Sequence, residues 1–217
     1  MSASEIESSL PLFPLSRLLL PGQRMSLQIF EPRYLTMITA QLRRGAGFGV
    51  VQIREGRETG RVPLVFPVGT EAAIVDWHQR PNGLLGVKIE GRRRFRLRRS
   101  EVQSDQLLVA DVKWLEAEPL AAPPSTNANP HNNDYADDPD ALMDRYDGLQ
   151  QLLVQLRQHP VVIQLGFAEP DNASQLGWQL TQLLPLSLPD KMALWELQCP
   201  AIRLEHLAER VARLVSR

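Results

Sequence analysis

A chain of 217 residues with 43% hydrophobic content is long enough to bury one large core or two small ones, which excludes a disordered tail. Its formal net charge of −1 supplies no global electrostatic reason to bind nucleic acid or an anionic membrane. The single cysteine, Cys199, excludes an intramolecular disulfide and any multi-cysteine metal site. The start MSASEIESS lacks a signal pattern and no apolar run approaches the ~18 residues of a membrane span, so a cytoplasmic location is the expectation.

From Leu10 to about Leu115 the chain reads as strands with one helix. Met25 to Phe30 alternates between apolar and polar residues, Phe48 to Ile53 is apolar, and Gly69 to Trp77 runs into Pro81-Asn-Gly83. Asn-Gly is a strong hairpin signal, tolerating positive φ at both central residues of a tight turn, and it predicts that Thr70 to Trp77 pairs with Leu84 to Glu90. The helix begins after Glu31, with Pro32 suited to the first helical position and Tyr34, Leu35, Ile38 and Leu42 forming its apolar stripe.

Residues 117–139 are rich in Pro, Asn, Asp and Ala and carry no hydrophobic period, which predicts a mobile loop or linker. The period then changes from two to near 3.6, with Leu142, Tyr146, Leu149, Leu152, Leu153 and Leu156 on one helical face. Asn172 with Gln175 makes a capping box for a helix carrying Leu176, Leu180, Leu183 and Leu184, and Ser187 with Pro189 starts another. A last helix from about Pro200 turns Leu204, Leu207, Val211 and Leu214 inward. The predicted class is therefore α+β, in three segments. Residues 1–116 form a β-rich lobe, a small mixed or barrel-like sheet with one helix; 117–139 form the loop; 140–217 form a helical bundle.

Seven stretches stand out in order along the chain: Leu10-Pro-Leu-Phe-Pro-Leu15, Leu20-Pro-Gly22, Phe30-Glu-Pro-Arg-Tyr34, Val68-Gly-Thr-Glu-Ala-Ala-Ile74, Ile89-Glu-Gly-Arg-Arg-Arg-Phe-Arg-Leu97, residues 183–196 and Ile202-Arg-Leu-Glu-His-Leu207. Together they resemble the LON amino-terminal domain, the substrate-binding part of ATP-dependent Lon proteases, also present in cereblon and in small stand-alone bacterial proteins. Two departures stand out. Met192 replaces the glutamine that Lon proteases usually carry after the lysine, and residues 117–139 look like an inserted loop. The resemblance implies a non-catalytic, stand-alone module that engages unfolded or extended polypeptide at a cleft between lobe and bundle, with a protease or chaperone as a further partner. It implies no cofactor, no metal and no bound nucleic acid or membrane. The residues it singles out are Phe13, Pro14, Phe30, Glu31, Arg33, Tyr34, Gly69, Gly91 and Arg93. A β-rich lobe also ends in sheet edges, which accept an added strand through main-chain hydrogen bonds.

The remaining chemistry is sparse. Arg92-Arg-Arg-Phe-Arg-Leu-Arg-Arg99 could grip a phosphate backbone. Strand alternation instead places Arg92, Arg94, Arg96 and Arg98 on a solvated face and Arg93, Phe95 and Leu97 on the other, where Arg93 either pairs with Glu31 as its candidate partner or lies in water at the sheet edge. His131, Asp134, Asp137, Asp138 and Asp140 lack the glycine and glutamate of a calcium loop and read as a solvated acidic stretch. Cys199 near His206 precedes a helix-opening proline and reads as structural. No phosphate-binding loop, nucleophile elbow, HExxH or dinucleotide fingerprint occurs. The alternatives to polypeptide binding are an enzyme acting on a small molecule or peptide at the inter-lobe cleft, marked by titratable groups converging in an apolar pocket, and a nucleic-acid binder using Arg92–Arg99.

Overall fold

The computed structural model describes residues 6–118, 143–163, 165 and 167–215. Most of the predicted loop, together with Leu142 and the acidic stretch from His131 to Asp140, lies outside the described residues. The chain divides into two compact units, Met1–Ala117 and Glu118–Arg217.

The first unit is a six-stranded mixed sheet with one helix. Its strands are β1 (Ile6–Leu15), β2 (Arg24–Ile29), β3 (Phe48–Glu55), β4 (Leu64–Gln79), β5 (Leu85–Val102) and β6 (Leu108–Trp114), and α1 spans Pro32–Arg44. The order β2-β5-β4-β3-β1-β6, with β5 also pairing β6, closes β1, β3, β4, β5 and β6 into a ring and leaves β2 outside it on β5. Only β1 and β3 pair in parallel.

Ring closure gives both faces of the strands something to bury. Inside are Leu10, Leu12, Val51, Phe95, Ala110, Val112 and Trp114. The other face carries Phe13, Leu15, Val50, Ala72 and Ile89 against β2 and against Tyr34, Met37 and Ile38 of α1. A close-approach glycine serves the inner core: a Cβ on Gly69 would lie 2.6 Å from Phe95 Cζ and 2.5 Å from Val50 O. The stripe of α1 is rotated from the expected one. Met37 and Gln41 join Tyr34 and Ile38 in being buried, while Leu42 is exposed.

The β4–β5 hairpin folds at the Asn-Gly signal, with Ile74 opposite Ile89 and Trp77 opposite Val87, but Ala72 and Thr70 run on to Gly91 and Arg94, beyond the expected partners, and the turn differs. Only Gly83 takes positive φ; Gly83 N donates to Arg80 O and Arg80 N to Leu84 O, so Pro81-Asn82 forms a type I turn closed by a left-handed glycine. Proline's fixed φ suits the first central position of that turn, which explains why the tighter form loses. The β5–β6 hairpin repeats the plan with Gln103 and Leu107 in the bonding positions and Gln106 at φ 68 where the first has glycine. Both turns are braced alike, Leu84 N donating to Asn82 Oδ1 and Leu107 N to Asp105 Oδ1.

The second unit is helical, with α2 (Asp147–Arg157), α3 (Pro160–Ile163), α4 (Ala173–Leu183), α5 (Leu188–Glu196) and α6 (Pro200–Val215). Leu149 and Leu153, Leu176 and Leu180, Leu194, Leu204 and Leu207 form its core, with α4 packed against α2, α5 and α6. Val211 packs partly against this core, whereas Leu214, expected inside, is 40% exposed in the last turn. Asn172 Oδ1 accepts from Gln175 N at 3.0 Å, the capping bond expected, while Gln175 Oε1 reaches one residue beyond the cap to Asp171 N. Ser187 caps α5 through Asp190 N. Among the described residues no helix is long and apolar enough to cross a membrane.

Candidate functional site

The site is built where β1, β2 and the start of α1 meet. Phe13 and Leu15 project from β1 onto the face that α1 covers, and Leu27 and Ile29 project from β2 onto the same core. Glu31 is the N-cap of α1 and Pro32 its first residue, so the helix starts immediately beyond the strand and brings Tyr34 over Phe13, their ring centroids 4.3 Å apart. These residues, with Arg17, Ser26, Gln28, Phe30, Glu58 and Thr59, enclose a pocket of about 300 Å³ within the first unit. Its floor is aromatic and aliphatic. Phe30, 52% exposed, stands at its rim.

Both carboxylates of the pocket are engaged. Arg33 is buried, its Nη2 2.7 Å from Glu31 Oε2, its Nη1 donating to Gln106 O at 3.0 Å and its guanidinium over the Tyr34 ring at 4.7 Å. Glu58 accepts from Ser16 N at 2.7 Å. Burial pushes the Tyr34 phenol up to about 12, with Arg33 opposing and Glu31 and Glu58 adding, so the hydroxyl stays protonated at physiological pH. No nucleophile–base pair results from these contacts.

Phe13, Phe30, Glu31 and Tyr34 thus share one pocket, and Arg33 touches it through Glu31 and the Tyr34 ring. Pro14 is buried on β1 and paired with Val51. Gly69 and Gly91 lie elsewhere and serve backbone approach: a Cβ on Gly91 would sit 2.1 Å from Leu20 O, where residues 18–23 cross the sheet. Glu58 and Thr59 join the pocket from the β3–β4 connection, and the sequence does not mark them, because nothing in a polar Gly-containing loop announces which residue folds back.

The expected Glu31–Arg93 pair is not formed. Glu31 pairs with Arg33, and Arg93 pairs with Glu71 at 3.1 Å while lying 3.7 Å over Trp114 with its side chain 48% exposed. The cause is a bulge. Ala72 faces Gly91 and Thr70 faces Arg94, so β5 spends one extra residue at Arg92–Arg93 and the alternation slips. Arg94, expected in solvent, falls on the face of Gly91 and is 4% exposed, under the segment whose Leu19 carbonyl accepts from Thr70 Oγ1. The arginine stripe is therefore interrupted, with Arg92 and Arg24 both paired to Glu90. In the second unit Cys199 is half-buried and its carbonyl accepts from Arg203 N at the start of α6, while His206 faces Glu209 at 3.9 Å. Among the described residues no group of three or more His, Cys, Asp or Glu side chains could hold a metal ion.

Comparison with known proteins places this geometry. Residues 9–213 match the family model of the ATP-dependent protease La (LON) substrate-binding domain. The crystal structure of a Lon N-terminal domain protein from Xanthomonas campestris is similar, with a TM-score of 0.68 and 32% identity over 94% of this chain and 98% of that one. The N-terminal domain of the Mycobacterium avium complex Lon protease shares the fold, with a TM-score of 0.58 and 17% identity over 93% and 96% of the two chains. Lon protease 3 of Sorangium cellulosum (strain So ce56) is 28% identical over 204 residues, which is 92% of this chain and 23% of that relative's length.

Proposed function

The chain belongs to the LON substrate-binding domain family, and from that membership we propose that it engages unfolded or extended polypeptide, without catalysis, at the pocket of its first unit. The observation that carries the reading is the pocket itself: an aromatic floor of Phe13 and Tyr34 with the exposed Phe30 at the rim, enough to hold an apolar side chain without demanding a sequence. Glu31, Glu58 and Tyr34 are titratable groups in an apolar pocket, the mark of the alternative enzyme reading. Glu31 is held by Arg33 and Glu58 by the Ser16 N–H, which supports binding over chemistry.

Ordering a flexible peptide consumes several kcal/mol of the gross interaction, so affinity should be micromolar. Fluorescence anisotropy with an array of labelled casein-derived peptides at two salt concentrations tests this. The expected result is a preference for apolar and aromatic segments with slight salt dependence, and a loss of about tenfold in affinity on Phe30→Ala with no change in thermal midpoint, since a side chain already half in solvent contributes little to folding. Absence of binding by every peptide would sink the proposal. A steep salt slope would return attention to Arg92–Arg99.

A further inference from the structure

β2 is the strand through which the pocket reaches a sheet edge. It pairs with β5 from Arg24 opposite Glu90 to Ile29 opposite Leu85, and no other described strand pairs with it. The phase of that ladder is set where β2 begins. Gly22 N donates to Gly91 O at 2.8 Å and Gly91 N donates to Gln23 O at 2.9 Å, with Gly22 at φ 76, which is the two-against-one pattern of a bulge with a left-handed glycine in first position. Gln23 therefore turns its main chain towards β5. Antiparallel alternation gives Met25, Leu27 and Ile29 the same orientation and leaves Arg24, Ser26 and Gln28 aiming N–H and C=O away from β5. The side chains alternate with the same period, Met25, Leu27 and Ile29 buried and the other three exposed.

Two features of the pocket fit this edge. Ser26 and Gln28, whose main-chain groups face outward, are among its lining residues, so donor, acceptor and apolar floor are presented together. A segment lying beside β2 would carry alternate side chains on the face of Leu27 and Ile29, over Phe13 and Tyr34, and the others on the solvent face with Ser26 and Gln28. Against the two lining carboxylates, Glu31 and Glu58, stand Arg17 on the lining and Arg33 paired with Glu31, so the inward positions carry no net charge and suit an apolar side chain.

We infer that, granted the polypeptide reading above, the ligand is an extended chain added as a strand to the outer edge of β2, held by the main-chain groups of Ser26 and Gln28 and read with a period of two, apolar inward and unrestricted outward. Recognition of this kind takes its affinity from the backbone and its selectivity from every second side chain.

The test uses the full chain and a fluorescein-labelled ten-residue peptide alternating Phe or Val with Ser or Lys. Two further versions carry N-methyl groups on the odd or on the even residues. In a strand only one of these sets points its N–H groups at β2. One methylated peptide should therefore lose at least tenfold in affinity while the other stays within threefold. On the protein side, Gln28→Pro removes an outward N–H that the β2–β5 ladder does not use, and proline is tolerated on an edge strand. It should weaken binding at least fivefold more than Gln28→Ala, which removes the side chain and keeps the N–H. Should Gln28→Pro fail to fold, the methylated peptides decide the matter with unmodified protein. Equal effects of the two methylation sets with binding retained would overturn strand addition and leave polypeptide binding standing. Failure of the parent peptide and of all casein-derived peptides to bind would overturn both.

Discussion

Each unit buries an arginine against a glutamate and an aromatic ring, and the two are satisfied to different degrees. In the second unit the Arg203 side chain is fully buried and Glu118 nearly so. Nη1 donates to Glu118 Oε2 at 2.8 Å, Nη2 to Glu118 Oε1 and Leu197 O, and Nε to Leu194 O at 3.1 Å. The guanidinium also lies over Trp178, and a Cβ on Gly177 would be 3.0 Å from its Cδ. In the first unit Arg33 has one carboxylate contact and one carbonyl acceptor, and its Nε has no hydrogen-bond partner among the described residues. Glu31 lines the pocket and is less buried than Glu118. A guanidinium with all its nitrogens engaged works as a clip that fixes helices. The incompletely satisfied one adjoins the pocket through Glu31 and Tyr34, where the proposed ligand would bind.

The largest expected effect comes from breaking the clip. Arg203→Met removes the guanidinium from the buried Glu118 carboxylate and should cost about 3–5 kcal/mol in urea unfolding of the second unit, with much of that recovered in the double variant Arg203→Met, Glu118→Leu. A cost below about 1 kcal/mol would mean that water reaches Glu118 and the contrast is false. Arg33→Met should cost less, about 1–3 kcal/mol, because Glu31 keeps access to solvent; a loss equal to that of Arg203→Met would erase the distinction.

The smallest effect sharpens the comparison at the far end of Arg33. Its acceptor, Gln106 O, belongs to the left-handed residue of the β5–β6 turn, whereas the twin turn has Gly83. Gln106→Gly should stabilise by about 0.5 kcal/mol, relief of roughly 1 kcal/mol of left-handed strain being partly offset by glycine's greater freedom in the unfolded chain. Gly83→Gln, with open space around its Cβ, should cost a similar amount. A lowered thermal midpoint for Gln106→Gly would show that the Gln106 side chain contributes more than its backbone costs.

What the sequence makes legible here is what local chemistry decides. Pro81-Asn-Gly marks a hairpin, Pro32 a helix start and Asn172 with Gln175 a cap, because each acts through its own neighbours. The pocket is partly legible too, since Phe13, Phe30, Glu31 and Tyr34 fall in short motifs at the ends of adjoining elements. The failures are of another kind. One inserted residue at Arg92–Arg93 changes which arginine is buried, and a bulge leaves no composition signal in a run of arginines. Of the face expected in solvent, Arg92 and Arg98 are exposed, and only Arg94 is buried, where the segment that carries Leu19 and Leu20 lies over β5. The clip is invisible for a simpler reason: Arg203 finds its carboxylate 85 residues away.

That ring has a kinetic side. β1 pairs with β6, Leu10 lying opposite Ala110, so the amino-terminal strand is zipped against a partner that the ribosome delivers about a hundred residues later. Loop closure over such a span is entropically slow and raises contact order well above that of the locally wired helices. During synthesis β1 can pair with β3 once Glu55 has emerged, but its other edge stays open until β6 arrives. The barrel is thus a late, post-emergence product, and its nascent form is itself an extended polypeptide with exposed strand edges.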